Sequence, residues 1–199
     1  MTTRGETPLL ARVATEVLAP WVLVLGLPLL VAWHATSSVP ETLLWGLVVG
    51  VTGSVIPMVV IVRGARAGRW DGHHVTNREG RVVPLLTVAA SLGVGIAALF
   101  LGHAPRAMLA LALAMFLSLV VCLAVTFGAR WKVSIHAAVA AGALVILALT
   151  YGPWVLLGAV LVAWVAWSRV ALGDHTAPQV VVGAVMGAVV GGTIFQLLL

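Results

Sequence analysis

The chain has 199 residues, of which 62% are hydrophobic and 9% are charged, and its mean hydropathy is +1.15. A water-soluble domain usually carries about a quarter charged residues, so this composition excludes a soluble globule. The formal net charge is +5. The basic residues stand between apolar runs without interleaved aromatic residues, so this charge does not indicate a nucleic-acid partner.

Seven apolar segments follow one another along the chain, each near the roughly 20 residues that cross a bilayer as a helix. Lipid offers the backbone no hydrogen bonds, and the segments lack the polar–apolar alternation of a barrel, so helices are favoured. The sequence therefore predicts an all-α, polytopic transmembrane helix bundle with roughly six to seven spans, as a single domain over 1–199. The segments are approximately 18–35, 42–62, 83–102, 107–127, 134–150, 153–168 and 178–198.

Residues 1–17 precede the first apolar segment and carry two cations, Arg4 and Arg12. No small-residue cleavage site is evident in segment 18–35, so we interpret it as a retained span and not as a signal peptide. Residues 1–17 are predicted to form an N-terminal cytoplasmic segment.

Two glycine-containing patterns predict how late segments pack. The fifth and sixth segments are separated only by residues 151–153, Tyr-Gly-Pro, a tight-turn signal that predicts a helical hairpin. In the last segment, Gly183, Gly187 and Gly191 recur at four-residue spacing. That spacing predicts close helix packing, either within the bundle or between two copies in a homodimer.

The distribution of cations predicts the orientation. If the chain crosses at every segment, the N-terminus and the loops 63–82, 128–133 and 169–177 share one side. That side holds every Lys and Arg except Arg106. Short loops rich in Lys and Arg remain in the cytoplasm, so this side is predicted to be cytoplasmic.

The same side collects most of the reactive groups, in residues 71–81, 130–136 and 168–179. Arg and Lys bind phosphate, a neutral imidazole can attack phosphorus, and a second imidazole can protonate the leaving oxygen. Histidines and cations without an acidic cluster favour phosphoryl transfer without a metal or cofactor. Asp71, His73 and His74 could ligate a divalent ion, but they lack the helical spacing of an HExxH-type site.

The reactive residues of these three stretches resemble the motifs of a known family, the type 2 phosphatidic acid phosphatases (the PAP2 superfamily). Ser168-Arg169, five residues and His175 resemble the family's third signature, Ser-Arg-x5-His-x3-Asp. Residues 133–136, Val-Ser-Ile-His, are similar to the second signature, Pro-Ser-Gly-His, at Ser and His.

The first signature of the family, Lys-x6-Arg-Pro, is matched more weakly. His74, six residues and Arg81 are similar to it at Arg alone. The three matches occur in the family's order over about residues 71–180, which are therefore predicted to form a PAP2-like catalytic region.

The resemblance implies a role for each matching residue. His175 would be the nucleophile and His136 the general acid. Arg169 and Arg81 would bind phosphate oxygens, helped by the Ser134 hydroxyl. The implied activity is metal-independent dephosphorylation of a lipid phosphate through a phosphohistidine.

Five positions depart from the family's pattern or could add to its phosphate site. Gln179 stands where the family usually has an Asp that orients the nucleophile; its carbonyl can accept the imidazole N–H but has no charge. His74 replaces a Lys, and Lys132 could supply the missing cation. Ile135 replaces a Gly. Arg78 is a further candidate for phosphate binding.

The predicted substrate is a lipid phosphate because no loop is long enough for a lid, so the head group would reach the interface while its tail stays in the membrane. Candidates are a polyprenyl phosphate or diphosphate, a phosphorylated polyprenyl sugar, phosphatidic acid and phosphatidylglycerol phosphate. The alternatives are a non-hydrolytic lipid-phosphate binder or transporter, a phosphotransferase, and a prenyl-diphosphate lyase or cyclase.

Overall fold

A computed structural model describes residues 8–70, 80 and 82–199, and all regular structure within these ranges is helical. Within these ranges the eight helices are α1 (Leu9–Val17), α2 (Pro20–Thr36), α3 (Val39–Arg66), α4 (Val82–Leu101), α5 (Arg106–Gly128), α6 (Ile135–Tyr151), α7 (Pro153–Ala171) and α8 (Ala177–Leu198). Three of them, α3, α5 and α8, include a wider π-helical turn, and α7 begins with a 3-10 turn.

Five of these helices, α3, α4, α5, α7 and α8, are long and apolar enough to cross a membrane, at 19 to 28 residues each. Helices α1 and α2 together form a sixth candidate span, bent by 43° at the break between them. The 17-residue α6 is apolar but shorter. By its apolar helices the chain is an integral membrane protein. The predicted all-α bundle is confirmed, with five or six candidate spans where roughly six to seven were predicted.

The apolar exterior follows from the composition. Large aliphatic side chains are exposed around the bundle, including Leu157 at 81% and Leu101 at 75%. In water such a surface would be costly, whereas in a bilayer it lies against lipid tails. The interior is closed by aliphatic side chains from α2 to α6 and α8, among them Val31, Val49 and Leu111.

The region before the first predicted span contains a helix that the sequence analysis did not predict. Helix α1 has one buried face with Ala11, Ala14 and Thr15, whereas Leu9 and Leu10 are exposed. It packs against α7 near the C-terminal end of that helix. Nine residues are too few for a recognisable span, so hydropathy alone did not reveal it.

The predicted hairpin of α6 and α7 is confirmed. Helix α6 ends at Tyr151 and α7 begins at Pro153, so Gly152 alone connects them. Gly152 has φ +106°, a left-handed value that favours glycine because side chains with a Cβ rarely adopt it. The turn returns α7 antiparallel to α6.

The glycine repeat of α8 packs within the bundle, against α6. A Cβ on Gly183 would come 2.5 Å from the Ser134 carbonyl oxygen, and a Cβ on Gly187 would overlap the Ala138 carbonyl. The missing side chains therefore let the two backbones touch. Because this repeat is already used inside the chain, it gives no support to a homodimer. The close approach also holds the N-terminal end of α6 beside the first turns of α8.

Candidate functional site

The backbone turn between α7 and α8 explains the spacing between Arg169 and His175. Helix α7 ends at Ala171, and Gly173 reverses the chain with φ +73°. The amides of Asp174 and His175 then both donate to the Arg169 carbonyl at 3.1 Å. This is a helix C-cap in which a left-handed glycine lets later amides return to the last turn. The amide of His175, one position further on, donates to the same carbonyl, so the turn holds His175 close to the end of α7.

Gln179 orients the imidazole of His175. Its Oε1 lies 3.2 Å from His175 Nδ1 and also accepts the Thr176 amide at 3.2 Å. Because the Thr176 amide can only donate, the shared atom is the acceptor oxygen, and Nδ1 of a neutral His175 carries the proton. The lone pair of the imidazole is therefore on Nε2. Gln179 also occupies the third position of α8, where Glu or Gln commonly completes a capping box.

Arg169 is 1% exposed, and its guanidinium is held on two sides. One terminal nitrogen, Nη2, forms an ion pair with Asp174 Oδ2 at 2.7 Å, and Nη1 donates to Thr15 Oγ1 at 3.2 Å. Within the described ranges, Nε has no hydrogen-bond partner. Arg169 was predicted to bind phosphate, and both of its terminal nitrogens are already engaged by protein groups.

A chain of hydroxyl groups links this arginine to α1. The Ser168 hydroxyl donates to the Val165 carbonyl at 2.7 Å, and it lies 3.1 Å from Thr15 Oγ1. Thr15 therefore accepts from Arg169 and donates to Ser168, so that each of the two hydroxyls donates one hydrogen bond and accepts one. Sequence reasoning did not identify Thr15, which lies 154 positions from Arg169 and matches no signature.

Ser134 and Lys132 connect the start of α6 to the α7–α8 turn. The Ser134 amide donates to the Gln179 carbonyl at 3.2 Å, and the Lys132 ammonium donates to the Asp174 carbonyl at 2.6 Å. The Ser134 side chain is fully buried and caps α6 by accepting from the Ala137 amide at 3.4 Å. The second and third candidate motifs therefore meet where α6 begins, α7 ends and α8 begins.

We refer to the residues joined by these contacts as the Arg169 cluster. Asp174 and Thr15 are its members that the sequence prediction omitted. Asp174 could have been identified from the sequence, because it is acidic and directly precedes the candidate nucleophile His175. The cluster consists of Thr15, Lys132, Ser134, Ser168, Arg169, Asp174, His175 and Gln179.

His136 lies in the first turn of α6, two residues after Ser134, and is 6% exposed. Its side chain lines a cavity inside the bundle. His74, Arg78 and Arg81 lie outside the described residues, so their predicted contribution to phosphate binding stays a prediction. In the ranges 8–70, 80 and 82–199, no three His, Cys, Asp or Glu side chains are grouped as metal ligands.

Fold and site together define a polytopic α-helical membrane protein with a buried arginine–histidine cluster at one end of its bundle. Comparison with protein-family models, curated proteins and solved structures found no match. The resemblance to the PAP2 superfamily therefore rests on the short motifs at residues 133–136 and 168–175 and on the weaker match at 74–81.

Proposed function

We propose that this protein removes phosphate from a lipid phosphate by metal-independent nucleophilic catalysis, with His175 as the nucleophile. The carrying observation is the hydrogen bond from His175 Nδ1–H to Gln179 Oε1, at 3.2 Å, beside the buried cation Arg169. That bond leaves the Nε2 lone pair as the nucleophile in a neutral imidazole, which is the form that attacks phosphorus.

The proposed reaction has two displacements at phosphorus. His175 Nε2 attacks, an N–P bond forms, and the P–O bond to the lipid breaks while His136 donates a proton to the departing oxygen. Water then attacks the phosphohistidine, the N–P bond breaks, and the water proton passes to His136. Phosphate leaves, and both histidines return to their starting protonation states.

Cations stabilise the charge that spreads over the equatorial oxygens in each step. Arg169 Nε points to no acceptor within the described ranges, and Arg169 could offer its terminal nitrogens by loosening the Asp174 pair. Lys132 lies beside the same turn. We assign the remaining phosphate contacts to His74, Arg78 and Arg81.

The proposed substrate is a polyprenyl phosphate or diphosphate, or a phosphorylated polyprenyl sugar. The cluster lies where three membrane-embedded helices begin or end, so a lipid can present its head group there without leaving the bilayer. The excess of Lys and Arg in the loops of this side supports a cytoplasmic orientation of the site.

A non-hydrolytic binder or transporter of lipid phosphates is the second candidate. Two observations weigh against catalytic roles for Arg169 and Ser134: the terminal nitrogens of Arg169 are occupied by Thr15 and Asp174, and the Ser134 hydroxyl is fully buried as a helix cap. A purely structural cluster would show this same pattern of internal satisfaction.

Phosphate release separates the two candidates. Purified protein in detergent with EDTA is given geranylgeranyl phosphate, geranylgeranyl diphosphate and dioleoyl phosphatidic acid. We expect release that vanadate inhibits and that His175→Asn abolishes. His103→Asn is the matched control because His103 is exposed, lies after α4 and has φ +55°, which Asn tolerates. Binding of these lipids without release would favour the non-hydrolytic candidate.

A further inference from the structure

We infer that the cavity within the bundle holds the apolar chain of the lipid whose phosphate reaches the Arg169 cluster. Its volume is about 250 Å³. That exceeds the roughly 150 Å³ of an apolar protein cavity that stays dry and admits benzene. The assignment of the phosphate end relies on the proposed function, whereas occupation of the cavity by an apolar chain can be tested without catalysis.

The chemistry of the walls selects an apolar occupant. Side chains from α2, α3, α4, α5, α6 and α8 form the cavity, and nearly all of them are aliphatic, aromatic or Met. Two hydroxyls belong to the wall. The Ser54 hydroxyl donates to the Trp21 carbonyl at 2.7 Å, and the Ser118 hydroxyl has no hydrogen-bond partner within the described ranges. Water would find too few partners here, so an apolar chain is the stable content.

The cavity and the cluster meet at the start of α6. Ile135 and His136 line the cavity, and the preceding Ser134 bonds through its amide to Gln179 in the cluster. The dipole of a helix favours negative charge near its N-terminus. A chain lying in the cavity would therefore carry its phosphate toward the end of the bundle that holds His136 and His175.

An apolar chain in the cavity would give its lining atoms contact partners and so stabilise the bundle. Two sources could fill it: a chain of a bulk bilayer lipid or the chain of a lipid phosphate. The chemistry is the same, so the experiment must distinguish the sources.

Val139 offers a way to shorten the cavity without altering the cluster. It lies one turn after His136 on α6 and lines the cavity, so Val139→Phe would place a ring in that space. Val160→Phe is the matched control because Val160 is 68% exposed on α7 and lines no part of the cavity. Both proteins are reconstituted in phosphatidylcholine nanodiscs and compared with wild type.

For Val139→Phe we expect KM for geranylgeranyl phosphate to rise about tenfold, while turnover of the short dimethylallyl phosphate stays unchanged. Val160→Phe should match wild type with both substrates. Equal losses for the long and the short substrate in Val139→Phe would overturn the inference, because they would show damage to the reacting groups and not to a chain site.

Cys122 provides the readout that does not need catalysis. It is the chain's single cysteine and it lines the cavity, so a permeant maleimide reports on this space alone. We expect geranylgeranyl phosphate and dodecyl phosphate to slow the modification about tenfold, and inorganic phosphate to leave it unchanged. Unchanged modification with both lipids would overturn the inference and leave bulk lipid as the occupant. Protection without any phosphate release would reject the proposed hydrolysis and retain the chain site.

Discussion

His175 and Gln179 are joined side chain to side chain, with Nδ1 of the imidazole 3.2 Å from Oε1 of the amide. The two residues are four positions apart, and Gln179 also accepts the Thr176 amide at the start of α8. One amide oxygen thus stabilises the beginning of a helix and sets the direction of a buried imidazole. Substitutions that keep or remove this oxygen test whether it matters for catalysis.

Gln179→Glu should keep both hydrogen bonds, because a carboxylate oxygen accepts from the same donors. Its negative charge also stabilises a positively charged imidazole, so we expect phosphate release equal to or above wild type. Gln179→Leu removes both bonds and should lower kcat about a hundredfold through misorientation of the nucleophile. Initial rates of phosphate release check both variants.

The loss in Gln179→Leu should be specific to this position. Gln196→Leu is the control, since Gln196 is an exposed residue near the end of the same helix. An equal drop in kcat in Gln196→Leu, or an unaltered kcat in Gln179→Leu, would show that His175 is not oriented through Gln179.

Asp174→Asn should destabilise the protein because it leaves the buried Arg169 guanidinium without its ionic partner. Breaking a buried pair from one side costs about 3–5 kcal/mol, whereas replacing both members can be nearly neutral. We therefore expect Asp174→Asn to unfold at lower temperature than the double variant Arg169→Met with Asp174→Asn. Thermal unfolding in detergent measures the difference.

The exposed acid Glu41, in the first turn of α3, supplies the comparison. Glu41→Gln should change the unfolding temperature little, because exposed charges contribute little to stability. If Asp174→Asn unfolded at the same temperature as Glu41→Gln, the 2.7 Å ion pair between Arg169 and Asp174 would not contribute measurably to stability.

Thr15→Val should loosen α1 from α7 while keeping nearly the same shape. The substitution removes the acceptor of Arg169 Nη1 and the donor to Ser168, which leaves buried polar groups unsatisfied. Each such group costs about 1–3 kcal/mol. Thr15→Ser keeps the hydroxyl and should remain close to wild type in unfolding temperature.

Phosphate release by the same two Thr15 variants tests the importance of α1 for the site. We expect Thr15→Val to raise KM for lipid phosphate, because Arg169 loses one of the groups that hold it in place. Wild-type kinetics in Thr15→Val would mean that α1 only completes the packing of the bundle.

Gly183→Ala and Gly187→Ala should separate α8 from α6. The added methyl groups would strike the carbonyls of Ser134 and Ala138, which are backbone atoms and cannot rotate away. Overpacking of this kind costs about 1–3 kcal/mol. Unfolding temperatures in detergent measure this cost.

Gly93 in α4 is the matched position for these glycines, since nothing lies within 4 Å of a Cβ built there. Gly93→Ala should be neutral or stabilising, because Ala is a better helix former than Gly. Equal effects at all three positions would argue against direct contact of the α6 and α8 backbones.

Local composition and short spacings in the sequence were enough to predict the helical spans and the hairpin. A run of about 20 apolar residues can be stable in lipid only as a helix, so most of the spans were predictable. The hairpin at 151–153 followed from one glycine and one proline. The contact between His175 and Gln179 also has a local origin, since His175 directly precedes the N-cap residue Thr176 and Gln179 is the third residue of α8.

The contacts that hold Arg169 depend on the tertiary structure and cannot be inferred from local sequence. Its partners are Asp174, reached through the turn after α7, and Thr15, which lies 154 positions away on a helix too short to be read from hydropathy. The packing of the α8 glycines against α6 and the cavity that His136 helps to line also depend on tertiary contacts. A buried polar group must find a partner wherever the packed helices bring one, and sequence spacing carries no information about contacts between distant helices.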